Sequence, residues 1–315
     1  MTSRRLFACW TLIVVLLTAP ASAANQPPDA LDEPPAASQS ATASEATERA
    51  APDDRDVLAK NHAMTDRLTD DLPWTRLRFQ ARKLFFGGDA QVTLAGEADD
   101  RARIDLSFEA FGRESRNRLW FDPRTGAAQQ EEKLKIGSDA ELRRYEYGLS
   151  SAVKIRYHER PEAEAEAALD TWSEKSRQVQ HYGSTASPAP GSPAALLYRL
   201  ATSELNATGD RTDVLLFTKE RLVHAVAEVI DEVEWQESFL LHDGERTREI
   251  ERPIDALLIR VESRSLTGDA IDLDLFGLEG DLEILLEPRR RLPLELRGGL
   301  PIAGRVRVQL HEAWI

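Results

Sequence analysis

The sequence predicts a mainly β protein: one large curved antiparallel sheet, in the manner of an open barrel or half-barrel, with one or two short helices. Apolar and polar residues alternate through most of the chain after Trp74, turn chemistry separates the alternating runs, and only two stretches break the period. Alternation with period two marks strands that bury one face and wet the other, which is the habit of antiparallel sheet.

The chain opens with Arg4 and Arg5, an apolar run from Leu6 to Leu17, and Pro20 before Ala21-Ser22-Ala23. That order is expected of a secretory signal over 1–23, cut after Ala23. The run is shorter than the roughly 20 residues a membrane-crossing helix needs, so no integral membrane segment is expected after cleavage. Cys9 lies near the start of the run, where it marks no lipid anchor. The mature chain would then hold no cysteine, hence no disulfide and no thiolate chemistry. From 24 to 56 the chain is Ala, Pro, Ser, Thr and acid, too poor in apolar surface to offset its ordering entropy, and reads as a flexible spacer. Val57, Leu58, Met64 and Leu68 suggest a short helix within 57–73.

A single β-rich domain of roughly a dozen strands is expected over 74–315. Ala102, Ile104, Leu106, Phe108 and Ala110 alternate with Arg103, Asp105, Ser107 and Glu109. Val153, Ile155 and Tyr157 form another such face. The stretch from Val223 to Trp235 keeps one apolar parity for thirteen residues. Later come Ile271-Leu273-Leu275, Leu282-Ile284-Leu286, Leu292-Leu294-Leu296 and Val306-Val308-Leu310. Asp122 to Gly126, His242-Asp243-Gly244, Thr267-Gly268-Asp269 and Gly298-Gly299 read as turns between them. Ser192-Pro193 before Ala194, Leu196, Leu197 and Leu200 reads as an N-cap, a proline at the first helical position and an amphipathic helix. Glu162 to Gln180 is rich in helix formers yet also alternates, and both readings stay open. The Ser/Pro-rich loop 183–191 is a candidate boundary between two halves of the domain.

The formal net charge of −14 repels phosphate backbones, which disfavours a nucleic-acid partner. Arg289-Arg290-Arg291 reads as a solvated hairpin turn. The chain carries no G-x-S-x-G, no phosphate loop, no G-x-G-x-x-G and no H-E-x-x-H, and its histidines fall at no ligand spacing. No cofactor, metal or catalytic residue is assigned. Asp272, Asp274, Glu131 and Glu132 read as parts of solvated faces. Phe108, Trp120, Tyr157 and Trp235 fall at inward positions of predicted strands. They are the candidates to line an apolar cleft between the concave sheet and the helix after Ser192.

Three segments of the C-terminal third carry a family resemblance: Leu282 to Pro288, Arg291 to Leu296, and Ile302 to Leu310. They resemble the closing hairpin and last strand of a widespread family of exported bacterial domains of unknown function. A strand pair from Phe79 to Leu94 across Gly87-Gly88, and a strand-rich middle from Asp213 to Trp235 behind a short helix, are similar in outline. The resemblance implies a periplasmic β fold, loosely like the half-barrels of lipoprotein carriers, and assigns no residue a role. The functional expectation is a periplasmic, non-enzymatic protein that binds or carries an apolar or amphipathic envelope component such as a lipid. The alternatives are an envelope scaffold with protein partners and a filled core, or a glycan or peptide hydrolase working through dispersed carboxylates.

Overall fold

The computed structural model describes residues 72–83, 86–97, 100–110, 112–182, 189–300 and 304–315. The expected signal, the spacer, nearly all of the 57–73 helix and most of the 183–191 loop lie outside the described residues. Among the described residues no helix is long and apolar enough to cross a membrane.

The strands are β1 (Arg76–Lys83), β2 (Phe86–Glu97), β3 (Arg101–Ala110), β4 (Arg113–Phe121), β5 (Ala128–Ile136), β6 (Asp139–Tyr147), β7 (Ser151–Tyr157), β8 (Arg160–Pro161), β9 (Glu174–His181), β10 (Arg211–Thr218), β11 (Arg221–Trp235), β12 (Phe239–Asp243), β13 (Arg246–Ile250), β14 (Ile254–Ser265), β15 (Glu279–Glu287), β16 (Leu292–Leu300) and β17 (Gly304–Trp314). All belong to one sheet. Followed by its pairings, the ladder runs β10–β11–β14–β15–β16–β17–β1–β2–β3–β4–β5–β6–β7–β9, each step antiparallel. The β12–β13 hairpin joins β17 by a short parallel pairing, and β8 pairs with β6. The curved antiparallel sheet with few helices is the architecture the alternation predicts.

The sheet curls until its two ends touch, but no ladder between β9 and β10 closes it among the described residues. Side chains and one short stretch of backbone do the joining. Phe217 on β10 packs edge-on to Tyr147 of β6 and against Tyr182 just after β9. Lys154 on β7 meets Glu220 at the β10–β11 turn, and Gln180 donates to the same carboxylate. Pro190 and Gly191 bridge the gap with backbone: Ala128 N–H donates to Pro190, Gly191 N–H to Leu215, and Phe217 N–H to Gly191. A Cβ on Gly191 would lie 2.9 Å from the Gly126 carbonyl, so only glycine fits there.

The concave space is filled by a helical plug. Ser192, in extended conformation, accepts the Ala194 N–H on its hydroxyl, Pro193 opens a short 3-10 turn, and helix α1 (Leu196–Thr202) follows. This is the cap and first position the sequence predicts. Leu196, Leu197, Leu200 and Leu205 are essentially sealed from solvent in one cluster with the inward residues of β1–β3, β11 and β14–β17. The far end of α1 is held by Arg291, whose guanidinium donates to the carbonyls of Leu200, Ala201, Ser203 and Leu205. The C-terminal carbonyls of a helix lack internal partners, and the Arg fork supplies them. Burial pulls the Arg291 pKa down, and nearby Glu287 offsets part of that.

Several expectations need correcting. Arg291 is therefore no solvated turn residue, although Arg289 beside it is exposed. Gly298-Gly299 is no turn: both glycines lie inside β16, opposite Val306 and Arg305. The loop between β14 and β15 crosses so closely that a Cβ on Gly298 would meet Leu278 Cβ at 2.9 Å. That loop contains Ile271, Leu273 and Leu275, which form no strand; Leu273 and Leu275 instead drop into the core from irregular backbone. Gly87-Gly88 also belongs to a ladder, paired with Arg82 and Ala81. Glu162 to Gln180 resolves into two single 3-10 turns followed by β9. These turns lay Ala165, Leu169 and Trp172 over Leu134, Ile136, Leu142 and Tyr157 as a second, smaller core.

Candidate functional site

Along β3, β4 and β5, residues directly opposite each other share a face. Ile104 faces Leu119, which faces Glu131; Leu106 faces Asn117, then Lys133; Phe108 faces Ser115, then Lys135. The concave surface therefore changes from apolar on β3 to charged on β5 within two strand spacings, about 10 Å. At this boundary a cleft of about 660 Å³ opens, bounded by this wall, by Pro193 and Ala194 at the start of the plug, and by the 274–279 loop. Leu106, Phe108, Leu275, Phe276 and Leu300 give it an apolar side, and Arg113, Lys133 and Lys135 line the β4–β5 side. The volume lies within the 300–1,000 Å³ typical of small-molecule sites, about the middle of that range.

The 274–279 loop is held in place by strained backbone. Phe276 sits at φ 57° and Gly277 at φ 76°. Asp274 accepts the Gly277 N–H at 2.8 Å, and Leu275 and Leu278 bond each other's backbone. The left-handed region costs a bulky L-residue about 1–2 kcal/mol. Here that conformation places the Phe276 ring on the cleft, 6.3 Å from Phe79.

Beneath the cleft lies a buried polar hub. Glu131, 1% exposed, accepts hydrogen bonds from Asn117 Nδ2, Tyr147 Oη and Ser192 Oγ, each at 2.7 Å, and pairs with Lys133 Nζ at 3.3 Å. Burial alone would raise the Glu131 carboxyl; the Lys133 charge and the three donors outweigh it and hold the group below its ordinary value. Tyr147 is pushed well above its ordinary range by burial, then by the Glu131 charge and the bond to it. Burial works to lower Lys133, and the Glu131 carboxylate reverses this and leaves it raised. Lys133 nevertheless keeps over a third of its side chain exposed, above the Tyr145 ring. Asn117 Oδ1 is buried without a hydrogen-bond partner among the described residues.

Of the four aromatic candidates, Phe108 alone lines the cleft. Trp120 follows Leu119 and precedes Phe121, both sealed in the core, so it falls on the opposite face, under the Arg118 guanidinium. Tyr157 packs on Trp172 in the smaller core. Trp235 lies beyond a register shift between Val229 and Asp231; the extra residue of a bulge reverses the facing of all that follows. It packs on Phe239 and donates its indole N–H to the buried Glu295 at 3.0 Å. Glu131, read in sequence as part of a solvated face, is instead the centre of the hub. No local signal could have found it: Leu134 and Ile136 make the other face of β5 look like the buried one, and only the pairing of Glu131 with Leu119 on β4 places it inward.

Among the described residues, no group of three or more His, Cys, Asp or Glu is placed to hold a metal ion. The chain matches no family model, no curated protein and no solved structure.

Proposed function

We propose that this protein is an exported, non-enzymatic component of the bacterial envelope whose curled sheet holds an amphipathic ligand in the cleft beside the plug. The observation that carries this reading is the composition of the cleft: one side is leucine and phenylalanine, the other is charged, and the two meet inside a concavity of ligand size. A solid interior has no use for such a boundary, because charges facing inward must be desolvated. The export part rests on the N-terminal sequence pattern, and the resemblance to exported β domains belongs to the same proposal.

The test is uptake of a lipophilic fluorescent probe, N-phenyl-1-naphthylamine, together with native mass spectrometry of protein purified from periplasm. Phe108→Ala and Phe276→Ala should each weaken probe binding several-fold. Trp235→Ala, outside the cleft, should lower stability and leave binding by the remaining folded protein intact. A clean apo mass with no probe uptake would sink the carrier reading and favour the scaffold alternative, for which the helix-filled remainder of the barrel speaks.

A further inference from the structure

The charged side of the cleft has a sign. Glu114, Glu141, Glu159 and Glu279 at its margin are each occupied by a cation of their own, Arg116, Arg143, Lys175 and Lys219. Asp274 is turned onto the Gly277 N–H of its own loop. The cations differ. Among the described residues, Arg113 and Lys135 make no ion pair and no side-chain hydrogen bond, although both line the cleft. Lys133 has a single carboxylate partner, Glu131, which is already supplied with three other donors. Lys133 and Lys135 stand on the same face of one strand, two residues and about 7 Å apart. Arg113 stands on β4 beside them, with its Cγ 4.0 Å from where a Gly137 Cβ would be. Among the described residues, two margin carboxylates are paired to no cation: Asp139, exposed at the start of β6, and Asp274, whose charge also acts on Lys133.

We infer that the cleft selects an anionic single-chain amphiphile: its acyl chain lies along Leu106, Phe108, Leu275, Phe276 and Leu300, and its phosphate or carboxylate headgroup sits on Arg113, Lys133 and Lys135. This rests on the cleft being a binding site at all. Arg113 and Lys135, not spent on protein carboxylates, give charge-assisted bonds to an incoming anion without first breaking an ion pair, and Lys133 adds its charge while it keeps Glu131. They do so in a protein whose overall charge repels anions, so the selectivity is local to this wall.

The experiment is calorimetric titration of the full mature chain, below micellar concentrations, with three twelve-carbon probes: monododecyl phosphate, monododecanoylglycerol and dodecyltrimethylammonium. The phosphate should bind at least tenfold more tightly than the trimethylammonium probe. The double variant Arg113→Gln, Lys135→Gln, both positions being exposed and its fold checked by thermal melting, should abolish most of that gap and leave the neutral probe unchanged. Equal binding of all three probes, preference for the cation, or a gap that survives in the double variant would each overturn the anionic assignment while the cleft remains a ligand site. Failure of all three probes to bind would instead remove the proposed function itself.

Discussion

The two flanks of the curled sheet use their inward faces in opposite ways. From β14 through β17 and β1 to β3, nearly every inward side chain is Leu, Ile, Val, Ala or Phe and is sealed against α1 or its neighbours. From β4 to β7 the same positions carry Asn117, Glu131, Lys133, Lys135, Arg143 and Lys154. The first flank does what a barrel core does. The second is joined to the plug by hydrogen bonds, through Ser192 and Glu131, and to the opposite edge by the Lys154–Glu220 pair. Stability therefore lies in the first flank and room for something else in the second: a flank already satisfied by apolar packing closes up, and one held by a few polar bolts leaves a cleft.

Breaking each flank at its centre gives the largest effects. Glu131→Ala strips the partner from Lys133, which is over a third exposed, and from Asn117, Tyr147 and the buried Ser192 at once; each donor left unmet costs about 1–3 kcal/mol. Leu294→Ala, in the middle of β16 and fully sealed, should cost about 2–5 kcal/mol. Urea denaturation measures both. The comparison sharpens through a third variant: Glu131→Leu combined with Lys133→Leu removes both charges, and should recover most of the Glu131→Ala loss because a well-packed apolar pair can replace a buried ion pair. If it recovers nothing, the three neutral donors around Glu131, not the charge pair, hold that flank. Arg291→Lys comes next. It keeps the charge but loses the fork that spans four carbonyls, and should cost about 1–3 kcal/mol through unmet acceptors.

The polar flank should also make stability depend on pH at both ends. Glu131 titrates in the fold below its ordinary 4.5. Its contribution is therefore complete above the unfolded value and disappears as pH falls through the folded one. Tyr147 titrates well above 10.0, and its contribution is complete below that value and fades as pH rises past it. Urea midpoints should thus drop below about pH 4.5 and again above about pH 10. Glu131→Gln should flatten the acid limb relative to the wild type and leave Leu294→Ala with both limbs intact.

Which parts of this were legible beforehand follows the same division. On the apolar flank, period two read from Ala102 to Phe108, or from Leu292 to Leu296, places those residues on the inward face, because burial there depends on parity alone. It failed where backbone geometry intervened. The bulge after Val229 moved Trp235 to the other face, and the loop carrying Leu273 and Leu275 fills the core without being a strand. On the polar flank, local pattern offers no sign that Glu131 is buried, since its partners Asn117, Tyr147 and Ser192 come from β4, β6 and the plug. The cap at Ser192 was readable; the carboxylate to which its hydroxyl donates was not.

The smallest expected effect concerns the clasp between the flanks, and its sign decides what the clasp is for. The β10–β11 hairpin turns on Lys219 and Glu220, at φ 47° and 64°. A two-residue turn with both φ positive favours Asn-Gly, so this pair is held against its preference at about 1–2 kcal/mol per residue. In return Lys219 reaches Glu279 on β15, and Glu220 takes both Lys154 and Gln180 from the opposite edge. Replacing Lys219-Glu220 by Asn-Gly relieves the turn and releases the clasp. Ion pairs as exposed as Lys219–Glu279 contribute about 0–1 kcal/mol, but Lys154 is 8% exposed and would be left uncompensated. The net change in stability should be within about 1 kcal/mol either way. Amide exchange is the sharper readout: β7 and β9 should lose protection while β14 to β17 keep theirs, because only the polar flank depends on a side-chain seam to close it.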